Sequence, residues 1–374
     1  MKKRKISFII LFAVIVSLSF AQTIEVINQY PFDRTNEIIE IDASEFNATL
    51  NSNLVITDQN NQEVPYQLIY NGKESVQSII FPVTVKTGTK EVYTLSKGTP
   101  NPVSAKTFAR FVPERKDDFA WENDMAAYRV YGPALADENP SNGIDLWLKK
   151  TEELVVDSFY KADLQYGKSY HDDHGQGVDC YKVGHTLGAG GVAPYVNGEL
   201  LIGNHFDSYK VLENGPLRST FTITHNDVVI NGELYQQDVT ISIDAGTVLS
   251  KAVVKLEGAE QAIKLAPGIF LHNGKGTLQK AAGLIIYGED AITQTDGTNV
   301  GRSYVGIIVP EESEYKIQKM HALLISDYTV GEEFTYYFGG GWSQWKFPTQ
   351  KEWLTAVQDF SKQIKYPLSV KVVN

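Results

Sequence analysis

Between Tyr170 and Gly191 the chain reads YHDDHGQGVDCYKVGHTLGAGG. This stretch holds three of the seven histidines, His171, His174 and His185, together with Asp172, Asp173, Asp179, the only cysteine (Cys180) and six glycines. Histidine exchanges protons near neutral pH, and glycine permits unusual backbone angles and close approach. His171 and His174 are three apart. On a strand they would face opposite sides, whereas on a glycine-interrupted turn both can point inward. The stretch therefore predicts an active-site loop rather than a core strand. One histidine can serve as general acid or base. Alternatively, His171, His174 and one of Asp172, Asp173 or Asp179 can hold a divalent metal, although the spacing matches no strong metal motif. The plainer reading is a loop whose Asp and His side chains cap turns or face solvent. Cys180 reads as a buried small side chain, and a single cysteine allows no internal disulfide.

Three further groupings have the residue types for a site. In FAWENDMAAYRVYG, Trp121 and Asp124 stand near a strand entrance, and Arg129 follows within the strand. Arg129 can bind a substrate carboxylate in a fork, or form an internal ion pair with Glu122 or Asp124. In GNHFDSYK, His205 and Asp207 share a face if this is a strand, so the carboxylate can orient the ring. Arg218 follows as a second candidate carboxylate binder. In FGGGWSQW, Trp342 stands at a cleft rim as a sugar-stacking platform, or seals a corner of the core.

The elements that must position these residues are strands. Short strands separated by Asn, Gly and Asp turns run from Ile24 to about Ser104 and predict a small β-sandwich without a titratable cluster. Thr99-Pro100-Asn101-Pro102 marks its edge. About ten longer strands follow, without long helices between them, which predicts a large antiparallel sandwich or barrel. One helix is expected near the end. Thr349 and Glu352 fit a capping box, and Trp353, Val357, Phe360 and Ile364 make one apolar stripe that Pro367 ends. The expected fold is thus all-β, with an accessory module at 22–103 and a main catalytic sandwich at 104–374.

Composition bounds what such a protein does. Hydrophobic residues at 43% and charged residues at 21% fit a folded chain. Lys2, Lys3, Arg4 and Lys5, the apolar run Ile6 to Leu18, and the small residues Ser19 and Ala21 read as a signal peptide over 1–21, cleaved before Gln22. No lipid-attachment cysteine follows, so a periplasmic or secreted protein is expected. Losing those four cations takes the formal charge from −11 to −15. Such a charge disfavours nucleic acid and anionic membranes as partners, while one local cationic group can still bind an anionic small substrate. The GxxxxGK(S/T) phosphate loop, the strand–GxGxxG–helix unit, HExxH and GxSxG are all missing, which disfavours nucleotide chemistry, zinc peptidase chemistry and serine hydrolysis.

The blocks WENDMAAYRVYGP, YHDDHGQGVDCYKVGHTLGAGG and ENGPLRSTFTI resemble those of a family of exported proteins of marine and gut Bacteroidota. That family was long named only as a domain of unknown function. It occurs in polysaccharide-utilisation gene clusters, and one branch is known as ulvan oligosaccharide dehydratases. The resemblance covers most of the mature chain. It implies a hydro-lyase that removes water across C4 and C5 of a non-reducing-end uronic acid and leaves the unsaturated uronate. The last block also resembles large sandwiches of the galactose-mutarotase and polysaccharide-lyase type. Such chemistry needs a base at C5, an acid for the C4 hydroxyl and positive charge or donors at the carboxylate. His174 and His171 are expected as the acid/base pair, with His205 and Tyr170 next. Arg129 is expected at the carboxylate, with Arg218 in reserve. Trp121, Asp124 and Trp342 are expected to line the site. The sequence requires no cofactor, and a divalent cation can replace or assist the arginine. A polysaccharide lyase, a non-catalytic carbohydrate-binding protein and a mutarotase remain open alternatives. Oligomeric state is left undetermined.

Overall fold

The computed structural model describes residues 21–47, 49–51, 53–137, 143–272 and 274–373. The expected signal peptide falls almost wholly on residues outside this set.

Every strand pair named below is antiparallel, in line with the all-β expectation. An eight-stranded sheet runs in the order Ser208–Asn214, Arg218–Ile230, Glu233–Asp244, Ser250–Glu257, Glu333–Trp342, Asn299–Ile308, Leu284–Ile292 and Thr277–Ala281. Two five-stranded sheets cover it. One is built from Gly177–Asp179, Asp145–Lys149, Ala126–Val130, Asp118–Asn123 and Thr107–Val112. The other is built from Glu199–Leu200, Ala189–Val196, Ala262–Phe270, His321–Thr329 and Glu314–Gln318. Side chains from all three sheets share one core, including Trp121, Leu146, Phe221, Tyr287, Phe334 and Phe338. The molecule's main body is therefore a sandwich whose second layer is split in two. Among the described residues, a parallel bridge from Ile144 to Gly188 stitches the halves together. Glycine is required there: φ is +61°, and a Cβ would lie 2.2 Å from the Ile144 carbonyl oxygen.

The hairpin turn at Asn231-Gly232 forms as its sequence dictates, with φ of 53° and 88° at the two residues. It joins Arg218–Ile230 to Glu233–Asp244, the longest paired strands of the large sheet.

The N-terminal module has its own core, with Ile24, Val26, Ile56, Ile79, Phe81 and Leu95 enclosed between two small sheets. Its strand Ala21–Ile27 pairs on one side with Lys90–Lys97 and on the other with Ser369–Val373. The chain's last strand therefore returns to the module, although the boundary read from sequence gave it to the main domain. Side chains also tie the module to the large sheet. The Gln67 carboxamide bonds the backbone of Leu217 and Arg218. The Glu213 carboxylate accepts the amides of Tyr70 and Asn71.

The helix Gln350–Lys365 carries the expected capping box at Thr349 and Glu352. Trp353 and Val357 are buried against Tyr304, Ile308 and Leu249 on the outer face of the large sheet, with Phe360 and Ile364 beside them. A second helix, Val156–Tyr166, was not expected. No side chain of its own N-cap residue caps it. The Glu122 carboxylate, 33 residues earlier, accepts the amides of Val155 and Val156 at 2.8 Å each. A cap supplied across the fold leaves no local signature.

Candidate functional site

The stretch from Tyr170 begins just after that second helix. Its residues Gly177–Asp179 form a buried strand beside Asp145–Lys149, which corrects the reading of the whole stretch as loop. Glycine makes the pairing feasible, since a Cβ at Gly177 would lie 2.2 Å from the Leu148 carbonyl oxygen. The Tyr170 ring is buried and stacks on Trp147 with centroids 5.1 Å apart. Its phenol oxygen accepts from Arg115 at 3.2 Å and from Arg129 at 3.1 Å.

Arg129 is not open to a substrate. It is 2% exposed. Its guanidinium donates to Asp145 and Asp179 at 2.7 Å each and lies 3.5 Å from Asp118. The rings of Tyr131, Trp147 and Tyr170 surround it at 4.9–5.2 Å. It is thus an internal ion pair, but with partners other than Glu122 or Asp124. Glu122 instead pairs with the buried Lys149 at 2.8 Å. Three aspartates crowd one cluster, and burial raises the pKa of two of them. It pushes Asp118 up to about 6 against the pull of Arg129 and Arg115. Burial, with the Asp145 charge alongside, also raises Asp179 well above the carboxylate range.

His171 lies over this cluster, half-buried. Its Nδ1 donates to the Asp179 carbonyl at 3.0 Å and lies 3.4 Å from the Asp179 carboxylate. Donation through Nδ1 leaves Nε2 as the ring's lone-pair nitrogen. Desolvation lowers the ring's pKa, Arg129 adds to this, and the carbonyl bond opposes it. His174 sits on the same turn but is exposed, with Nε2 bonded to the Ser169 carbonyl at 2.9 Å. The turn is pinned by Lys150, which donates to Asp173 at 2.5 Å, and by Thr295, which donates to Asp172. Lys150 also lies 5.4 Å from the centre of the Trp342 ring.

Other expected site residues lie elsewhere. Trp121 is fully buried, stacked on Tyr128 and packed on Phe221, so it belongs to the core and does not line a substrate site as expected. Asp124 is buried, accepts the Gly246 amide at 2.6 Å and pairs with Lys106 at 3.4 Å. Arg218 holds Asp244 through two nitrogens at 2.6 and 2.8 Å and Glu40 of the module at 2.5 Å, so both of its partners are already protein carboxylates. His205 is buried in the segment that precedes the strand Ser208–Asn214, and Asp207 caps the Asn226 amide. Trp342 is 2% exposed and donates to the Val300 carbonyl at 2.9 Å. It seals a corner, as the alternative reading had it, while its ring faces Lys150. Among the described residues, no three His, Cys, Asp or Glu side chains gather as a metal ion needs. The nearest set, Asp118, Asp145 and Asp179, is organised around the Arg129 guanidinium.

Two residues went unnoticed in the sequence. His272 follows the strand Ala262–Phe270, at a φ of +40°. Its Nε2 donates to the Lys182 carbonyl at 2.8 Å, and its Nδ1 lies 2.5 Å from a Glu289 carboxylate oxygen. The ring nitrogen that does not bond the carbonyl therefore faces the carboxylate. Tyr181 and Phe270 pack edge-on against the ring. Glu289 lies in register with Ser303 and Trp342 across the inner face of the large sheet. His171 and His272 therefore bond to carbonyls three residues apart on one segment, which spans at most about 11 Å. A cleft of 380 Å³ lies on the opposite face of the large sheet from these histidines.

The family profile described as "Domain of unknown function (DUF4861)" matches residues 26–370. A relative, "Uncharacterized protein P7" of Formosa agariphila, is 32% identical over 277 residues, 71% of this chain and 69% of the relative. Among solved structures, a protein in glycosyl hydrolase family 38 from Enterococcus faecalis aligns with 95% of this chain and 47% of its own, at a TM-score of 0.47 and 9% identity. An alpha-mannosidase from the same species aligns with 95% and 46%, at a TM-score of 0.45 and 8% identity. The chain spans about half the length of these two structures.

Proposed function

The chain belongs to the DUF4861 family, and we propose that it is an exported carbohydrate dehydratase. In this reading it removes water across C4 and C5 of a non-reducing-end uronic acid on an ulvan-type oligosaccharide. The observation that carries the reading is the pair of half-buried histidines bonded to one segment and held in different electrostatic settings. His171 is oriented through Nδ1 and kept neutral by burial and Arg129, with Nε2 left to accept a proton. In this reading the acid is His272 with Glu289, whose ring nitrogen and carboxylate oxygen lie 2.5 Å apart. Acid and base held apart by their surroundings are what a syn or anti elimination needs.

The step balances as follows. His171 Nε2 takes the C5 proton, the C5–H electrons form the C4=C5 bond, and the C4–O bond breaks. The hydroxyl leaves as water with the proton held by His272 and Glu289. Charge developing on the uronate carboxylate needs a cation that is not already committed inside the core. Arg129 and Arg218 are committed, so Lys150 takes that role, exchanging Asp173 for the substrate. Trp342, buried beneath Lys150, holds that ammonium in place.

The test is the mass of the product from defined, saturated uronate-ended oligosaccharides. Dehydration gives an intact oligosaccharide lighter by one water, with the near-ultraviolet absorbance of a conjugated alkene-acid. A polysaccharide lyase gives two fragments, and a binding protein leaves the mass unchanged.

A further inference from the structure

The strands Arg218–Ile230 and Glu233–Asp244 set His225 directly opposite Gln237. Partners of this kind carry Cβ atoms about 4.5–5.5 Å apart. Both side chains line a recess that Val192 and Pro194, from the strand Ala189–Val196 of the second layer, wall on the other side. The recess measures 10 Å³, room for one water molecule or one ammonium group. Asn204 and Asp227, both exposed, stand at its mouth. Asp227 reaches it because the register of the two strands shifts between His225 and Val228, and such a bulge re-aims the side chains it carries.

This recess lacks a positively charged hydrogen-bond donor. Gln237 is 3% exposed, and its Oε1 bonds to nothing among the described residues. The His225 Nδ1 is buried and likewise unbonded. Asn204 donates its amide to Asp227 at 2.7 Å, which leaves the Asn204 carbonyl oxygen as a further acceptor. The charges that act on the His225 ring are Asp207, Asp227 and Asp238, all negative. Burial outweighs them and lowers the ring's pKa, so the imidazole is neutral at neutral pH and supplies no cation. No lysine or arginine among the described residues lines the recess.

A water molecule there would bring two donors and no charge. An alkali ion would bring charge, but hard cations take oxygen ligands, and an imidazole nitrogen suits them poorly. No three His, Cys, Asp or Glu side chains among the described residues gather for a metal ion. An ammonium group brings positive charge with at least three N–H donors and no acceptor. We infer that the recess binds a primary ammonium group, either the free ammonium ion or the amino group of a small amine, with its donors on Gln237 Oε1, His225 Nδ1 and the Asp227 carboxylate. An amine's carbon body finds an apolar slot of 40 Å³ beyond His225 and Gln237, lined by Val130, Ile144, Ile223 and Val239. The inference does not depend on the dehydratase reading. An occupant touches the large sheet and the second layer at once, so binding also raises the unfolding temperature.

Melting curves and calorimetric titrations of the whole chain test this. The probes are ammonium chloride, methylammonium chloride and glucosamine hydrochloride, each compared with sodium and potassium chloride at equal ionic strength. The expected result is a saturable rise in melting temperature with at least one ammonium compound and none with sodium or potassium. Tightest binding by ammonium chloride identifies the free ion, and tighter binding by methylammonium or glucosamine identifies an amine. Asp227→Asn, a change at an exposed position, is expected to weaken binding tenfold or more. Gln237→Leu is expected to abolish it, and the melting curve of that variant without ligand shows that it is folded. Should Gln237→Leu fail to fold, Asp227→Asn alone decides. Equal shifts with every cation mean an adventitious ion only and overturn the inference. So does the lack of any saturable response, or binding that neither variant weakens.

Discussion

At the scale of single residues, the chemistry turns on which histidine is oriented. His171 and His174 share a turn and a residue type, yet one is fixed over a buried cluster and the other faces solvent. His171→Ala is expected to cut turnover by about 10²–10⁴-fold, the usual share of a general base. Its melting temperature should stay near the parent's. His174→Ala should change turnover little, a contrast that steady-state rates would expose. Because burial lowers the His171 pKa, activity should rise with pH through a value below the ordinary histidine range of about 6.5. An acidic limb above that range speaks against His171. Asp118 makes a separate prediction about stability. Its folded-state pKa is raised to about 6 from 3.8, so the folded protein binds more protons between those values. Stability should therefore fall as pH climbs from about 4 to 6, by on the order of 2–3 kcal/mol. Asp118→Asn should flatten that slope in urea titrations. Residue types alone pointed to His174, His171, His205 and Tyr170 alike, and only the fold sets His171 over the cluster, leaves His174 in solvent and buries His205 and Tyr170. They misdirected at Arg129 and Trp121, since a strand residue's partners come from other strands that the local text does not name.

At the scale of elements, the site depends on a strand-and-helix frame built around buried charge. Arg129 on Ala126–Val130 ties together Asp118, Asp145 and Asp179, one from each of three neighbouring strands. Removing it leaves those carboxylates uncompensated. Arg129→Met is expected to cost roughly 3–5 kcal/mol, measured as a lowered urea midpoint. If the midpoint stays put, the cluster is not held by that guanidinium. Glu122 plays a similar part, joining buried Lys149 to the start of Val156–Tyr166. The C-terminal helix was legible because its capping box and apolar stripe are local. The helix Val156–Tyr166 was hidden because its cap comes from a distant strand. Glu289 was hidden for a related reason: it is a polar residue near the end of an apolar strand, and only the register with Ser303 and Trp342 shows which way it faces.

At the scale of the whole molecule, the all-β sandwich and its small N-terminal companion could be read from strand spacing and turn residues. The return of Ser369–Val373 to the module could not, because strand pairing over such a separation leaves no local trace. That strand covers the edge of Ala21–Ile27, so a chain ending before Ser369 should melt earlier and self-associate through the bared edge. Unchanged melting and a monodisperse sedimentation profile would show that the strand is dispensable. The split sandwich matters for function because it brings Tyr170–Lys182 against the inner face of the large sheet, where His171 and His272 bond to one segment. The most direct test of that arrangement is a mass spectrum of a saturated uronate-ended oligosaccharide after incubation with the protein and with His171→Ala. The account predicts an intact oligosaccharide one water lighter with the first and unchanged substrate with the second. Cleavage into two fragments, an unaltered mass with the unmodified protein, or full water loss with His171→Ala would contradict it.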